Sequence, residues 1–113
     1  MIEFLFLLFL KHYVVDFILQ TDDMVKGKGI YGNSFGIYHS LQHGVGTLFA
    51  SVICIAQPIY WVILPIADIL IHYHIDWVKM KYGCRDVTQH KFWNQLGLDQ
   101  FAHYLTYLAM AAL

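Results

Sequence analysis

The sequence predicts an all-α, polytopic membrane fold: four transmembrane helices arranged as two parallel, repeated helical hairpins. Three observations predict it. Hydrophobic residues make up 58% of the 113-residue chain and charged residues 13%, with a mean hydropathy of +0.51. Soluble domains carry about 25% charged residues, so a core of this size cannot hide so much apolar surface, whereas lipid can. The apolar residues fall into four long runs, broken by two polar, lysine-bearing loops and one Gln57-Pro58 turn. Finally, the first half is echoed in the second. His12-Tyr13-Val14-Val15-Asp16-Phe17 returns as His72-Tyr73-His74-Ile75-Asp76-Trp77. The length allows one domain over 1–113, with repeat one at about 1–57 and repeat two at about 58–113.

The first helix is expected from about Ile2 to Gln20, close to the roughly 20 residues that cross a hydrocarbon core. Its apolar start resembles the core of a signal peptide. No basic residue precedes it and no small-x-small site follows, so it reads as a retained helix. Thr21 to Asn33 reads as a polar loop, rich in glycine and bearing Lys26 and Lys28. The second helix follows from about Ser34 to Ala56. Small residues recur at Gly32, Gly36, Ser40 and Gly44, a ladder that admits another backbone, within the bundle or in a homo-oligomer. Pro58 cannot continue that helix. The third runs from about Ile59 to Lys79, with Pro65 as a kink; a second polar loop spans about Met80 to Lys91, and the fourth helix runs from about Phe92 to the end. Six of the seven Lys and Arg lie in or beside the two long loops. The positive-inside rule therefore places both loops in the cytoplasm and both termini outside. A net charge of −1 gives no global basic field for nucleic acid. Cys54 and Cys84 form no CxxC pair and no disulfide framework.

Each repeat carries two polar pairs at spacing four: His12/Asp16 and His39/His43, then His72/Asp76 and Asp99/His103. Residues i and i+4 share a helix face. At about 1.5 Å rise per residue, all four pairs fall at one depth. An ionisable group inside a membrane costs roughly 2.5–3.5 kcal/mol on insertion scales, so eight together must pair, bind a cation or line water. Imidazole and carboxylate together suit Zn first, then Mn or Fe, as one ion or two. The metal ligands are expected among His12, Asp16, His39, His43, His72, Asp76, Asp99 and His103. Gln20 and Gln100 adjoin as outer partners or substrate donors. Asp16 and Asp76 are the candidate bases, and Lys79, one turn past Asp76, the candidate phosphate contact. Two bland readings stand beside this: polar glue between helices, and a proton or ion path. Asp68, two turns deeper than Asp76, reads as a buried partner for Lys11; His74 faces away from His72 and stays outside the site.

At these residues the chain resembles the family catalogued as domain of unknown function 3307, small bacterial and phage integral membrane proteins. The shared pattern is His12-x3-Asp16-Phe17-x2-Gln20, a histidine-bearing second span with His39 and His43, His72-x3-Asp76-x2-Lys79, and Asp99-Gln100-x2-His103. It covers nearly the whole chain; His74 and Asp68 depart from it. The resemblance implies the inner membrane of a bacterial cell and carries no established activity. A looser similarity to membrane-bound, metal-dependent hydrolases with His/Asp-rich spans is analogy. The expected function is a metal-dependent hydrolase acting on a membrane-associated lipid or phosphoester. The alternative is a non-enzymatic ion or proton conductor, or a membrane interaction protein.

Overall fold

The computed structural model describes residues 1–113. It is all-α, as the apolar runs predict, with five α-helices and one π-helical turn. Helix α1 spans Ile2–Tyr13 and passes into the π-turn, Val14–Ile18. Helix α2 is Asp22–Lys28, α3 is Ser34–Cys54, α4 is Tyr60–Tyr82 and α5 is His90–Ala111.

The predicted four-transmembrane architecture does not hold. Only α4 is both long and apolar enough to cross a membrane, by length and composition. Helix α1 is regular for 12 residues before its hydrogen-bond ladder changes register. Helix α3 has 21 residues but includes His39, Ser40, Gln42, His43, Thr47 and Ser51. Helix α5 has 22 and includes Asn94, Gln95, Asp99, Gln100 and His103. The polar side chains of the candidate site are among those that lower the apolarity of these helices.

Helices α3, α4 and α5 run up and down, and α1 lies against α3 and α5. Helix α3 packs most extensively on α4, where the small-residue ladder admits close approach. A Cβ at Gly44 would strike the Ile69 side chain, and one at Gly36 would sit 3.2 Å from the Gly27 carbonyl oxygen. The ladder is thus consumed inside the chain, by α4 at Gly44 and by α2 at Gly36.

Helix α2 is a turn of structure that the loop reading missed. Thr21 caps it, its side chain accepting from the Met24 N–H, with Asp22 and Asp23 in the first turn and Lys26 and Lys28 in the last. These charges match the helix dipole at each end. Gly32, at φ +82°, then turns the chain into α3, whose first turn Asn33 caps by accepting from the Phe35 N–H. Between α4 and α5, Asp86 accepts from the Thr88 hydroxyl and N–H, and these bonds hold its carboxyl below the ordinary range.

The interior is layered. Phe4, Leu8, Ala50, Leu64, Tyr107, Met110 and Ala111 form one apolar cluster, toward the end of the bundle where the chain starts and finishes. Beyond it lie Lys11 and Asp68, then the histidines and remaining aspartates. Of the named buried residues, nine are hydrophobic and 14 are polar or charged, so the larger part of this core is polar.

Candidate metal centre

The π-turn delivers the first carboxylate. The Leu19 N–H bonds the Val14 carbonyl at 2.9 Å, an i to i+5 closure that inserts an extra residue into the turn. Such bulges recur at functional sites because they re-aim side chains. Here Asp16 is turned inward and is 8% exposed. Its Oδ1 lies 2.7 Å from His43 Nε2 and 2.9 Å from His39 Nε2, both on α3. The spacing of four on a regular helix puts these two imidazoles on one face.

Helix α4 supplies the other wall. His72 Nε2 lies 2.9 Å from Asp76 Oδ2, 3.4 Å from His39 Nε2 and 3.7 Å from Asp16 Oδ1. His103 of α5 reaches Asp76 Oδ1 at 3.2 Å and Asp99 Oδ1 at 3.5 Å. The rings of His43, His72 and His103 stack, with centroids 3.5 Å and 4.2 Å apart along the row. Asp16 meets His43 and Asp76 meets His103 across the same separation of 27 residues.

Two sets of donor atoms converge closely enough to hold a cation: Asp16, His39, His43 and His72, and, around the shared His72, Asp76 and His103. A tetrahedral ion with bonds of about 2.0–2.1 Å needs donors roughly 3.3 Å apart. The separations of 2.9, 3.4 and 3.7 Å among Asp16, His39 and His72 bracket that value.

Lysines reach three of the four buried carboxylates in this region. Lys11 pairs with Asp68 at 2.5 Å and Lys28 with Asp76 at 3.2 Å; Lys79 sits 3.7 Å from Asp99. Asp16 alone among these four aspartates faces no lysine and is contacted only by imidazoles. An ionised carboxylate out of water needs a compensating cation.

All eight predicted ligands are therefore brought into one buried region, but they do not play one geometric part. His12 lies outside both donor sets. It bonds the Tyr107 hydroxyl at 2.8 Å and Gln100 Oε1 at 2.7 Å, with Asp16 Oδ2 at 3.3 Å. Asp99 also lies outside them, bonded by the Gln100 amide at 3.0 Å. Gln20 donates to the Asp16 carbonyl, and its Oε1 is buried without a partner. His74 points away and meets the Tyr31 hydroxyl at 2.9 Å.

The hydrolase expectation finds no support in this arrangement. Both candidate bases are engaged, Asp16 by four imidazoles and Asp76 by Lys28 and three imidazoles, and Lys79 is turned to Asp99. Lys28 and Tyr107 were missed as members of the site. A lysine in a polar loop carries no sequence signal for burial, and Tyr107 sits in an uncharged run beside ordinary core residues.

No curated protein and no solved structure matches the chain. A family model does, over residues 4–113, and it is described as a protein of unknown function. With its His/Asp pattern drawn into one buried cluster, the chain belongs to the DUF3307 family.

Proposed function

We propose that this protein holds a divalent transition-metal ion among its core histidines and aspartates, with zinc the first choice. One observation carries the reading. Asp16 is a buried carboxylate with no lysine, faced by the Nε2 atoms of His39, His43 and His72. The donor set is imidazole and carboxylate with no thiolate, which suits Zn, Mn or Fe. Polar glue explains the pairs Asp76–Lys28 and Asp68–Lys11, whereas Asp16 meets only imidazoles, three of whose Nε2 atoms converge on it at ligand distance. Purification without chelator, followed by mass spectrometric metal counting, tests this. About one equivalent per chain is expected, falling below a tenth in Asp16→Asn and His72→Ala. Equal metal in the variants, or none in a folded wild type, overturns it.

We also propose that the partner of the outer surface is lipid. Thirty-six large hydrophobic side chains are exposed, among them Phe6, Phe49, Ile53, Ile66, Leu98 and Leu105. These six lie on α1, α3, α4 and α5 alike. A protein partner covers one face, whereas acyl chains surround a molecule. Flotation with liposomes is the test. Co-migration with lipid is expected; a discrete lipid-free oligomer in water means that copies of the chain cover this surface instead.

A further inference from the structure

Lys11 is a charged residue at the centre of a buried polar network, and no metal chemistry has been assigned to it. Its ammonium has three N–H donors and no acceptor. Three acceptors surround it: Asp68 Oδ2 at 2.5 Å, His43 Nδ1 at 3.0 Å and the Tyr107 hydroxyl at 3.2 Å. Asp68 is 1% exposed and also accepts from the Thr47 hydroxyl on the same oxygen, at 2.5 Å. Lys11 is the one basic side chain within ion-pair distance of it.

The protons can then be followed outward. A donor-only ammonium at His43 Nδ1 makes that nitrogen an acceptor. The ring proton of neutral His43 is therefore on Nε2, where it donates to Asp16 Oδ1 at 2.7 Å. On the other branch, Tyr107 accepts from Lys11, and its own proton needs an acceptor because the residue is 0% exposed. The available one is His12 Nδ1 at 2.8 Å. His12 therefore also carries its proton on Nε2, donating to Gln100 Oε1 at 2.7 Å. The Gln100 amide in turn donates to Asp99 Oδ2 at 3.0 Å. Turning that amide over would place its oxygen against a carboxylate. Both branches therefore run one way, from Lys11 to Asp16 and from Lys11 to Asp99.

His39 and His72 differ from these two rings at Nδ1. The Nε2 atoms of His39 and His72 also face carboxylates, each at 2.9 Å, but their Nδ1 atoms are buried without a partner, so nothing bars the ring proton from Nδ1 when Nε2 is given up to an ion. A metal ligand must present a bare nitrogen.

We infer that Lys11 is a positioning residue that sorts the core histidines, keeping His43 directly and His12 through Tyr107 in the Nε2–H form. Neither ring then ligates the metal; His43 instead orients Asp16. The ion falls to Asp16, His39 and His72, with Asp76 and His103 on its far side. This rests on the metal-centre reading for the identity of the occupant, but the proton positions are a property of the protein alone.

The test is long-range proton–nitrogen correlation NMR on the full chain, labelled with nitrogen-15 histidine, before and after adding zinc. His12 and His43 are expected as neutral Nε2–H rings in both states. Zinc is expected to shift the Nε2 of His39 and His72. A proton on Nδ1 of His12 or His43, a doubly protonated ring, or loss of either Nε2 proton on adding zinc overturns the inference. If zinc moves no ring while both tautomers stand, the metal reading fails and the sorting role survives. The Lys11→Met, Asp68→Leu double variant removes both charges together and is expected to give His43 a mixture of tautomers. An unchanged Nε2–H ring in that variant removes Lys11 from the role. Should the variant not fold, the wild-type tautomers still decide.

Discussion

Asp16 and Asp76 follow matching histidines in the sequence, yet they meet different cations. Lys28 reaches Asp76 and no lysine reaches Asp16. Removing one partner of a buried ion pair typically costs about 3–5 kcal/mol, because the other charge is left uncompensated. Lys28→Met is therefore expected to lower unfolding stability by roughly that amount. Added zinc should recover part of the loss, since Asp76 with His72 and His103 then offers a metal an unopposed carboxylate. Denaturation with and without zinc checks both halves. Metal retention should also depend on pH. Ligating imidazoles must be unprotonated, and although burial opposes it, the Asp16 and Asp76 carboxylates raise the His39 pKa, so affinity is expected to start falling at a pH above the ordinary histidine range. Equilibrium dialysis at stepped pH reads this directly. The spacing of four made the His/Asp pairs legible in the sequence, because a helix face is a local property. The Lys11–Asp68 pair was also open to inference, since a buried acid two turns from the site needs a partner. The arrival of Lys28 was not legible: it depends on where a short helix docks, and no local pattern records that.

The element that docks Lys28 is α2. Its Thr21 cap, acidic first turn and basic last turn are ordinary helix-start and helix-stop signals, but they occupy seven residues beside a glycine-rich stretch. A helix that short gains its stability from packing, which a sequence does not display. Thr21→Ala is expected to cost about 1 kcal/mol, appearing first as faster amide exchange across Asp22–Lys28 by hydrogen-exchange mass spectrometry. The α3–α4 contact is less forgiving. Gly44→Val drives a side chain into Ile69, and overpacking of this kind costs about 1–3 kcal/mol. A lower midpoint in chemical denaturation is the expected reading. The small-residue ladder announced close approach but not its partner; the structure assigns it to α4 and α2. The π-turn was equally hidden. A single extra residue in a helical turn leaves apolar periodicity almost unchanged, although it decides where Asp16 points.

On the scale of the molecule, helix content and the Gln57-Pro58 turn were legible because apolar runs and proline act locally. The four-span architecture was not correct. It counted apolar runs without subtracting the polar side chains that α3 and α5 bring to the core. The polarity of the whole is inverted relative to most compact domains, with the imidazoles and carboxylates inside and large apolar side chains outside. Leu105→Lys on the outer surface is therefore expected to reduce liposome flotation while leaving zinc stoichiometry unchanged. Flotation and metal counting on the same sample check this.

The stacked row His43–His72–His103 places one ring between two neighbours, and that middle ring belongs to both donor sets. An imidazole nitrogen has one lone pair to give. Whichever place captures His72 leaves the other a donor short, so the two places compete as alternatives and do not fill in succession. Metal titration should reach a plateau at a single equivalent, and a small excess should exchange positions within the row without adding a second occupant.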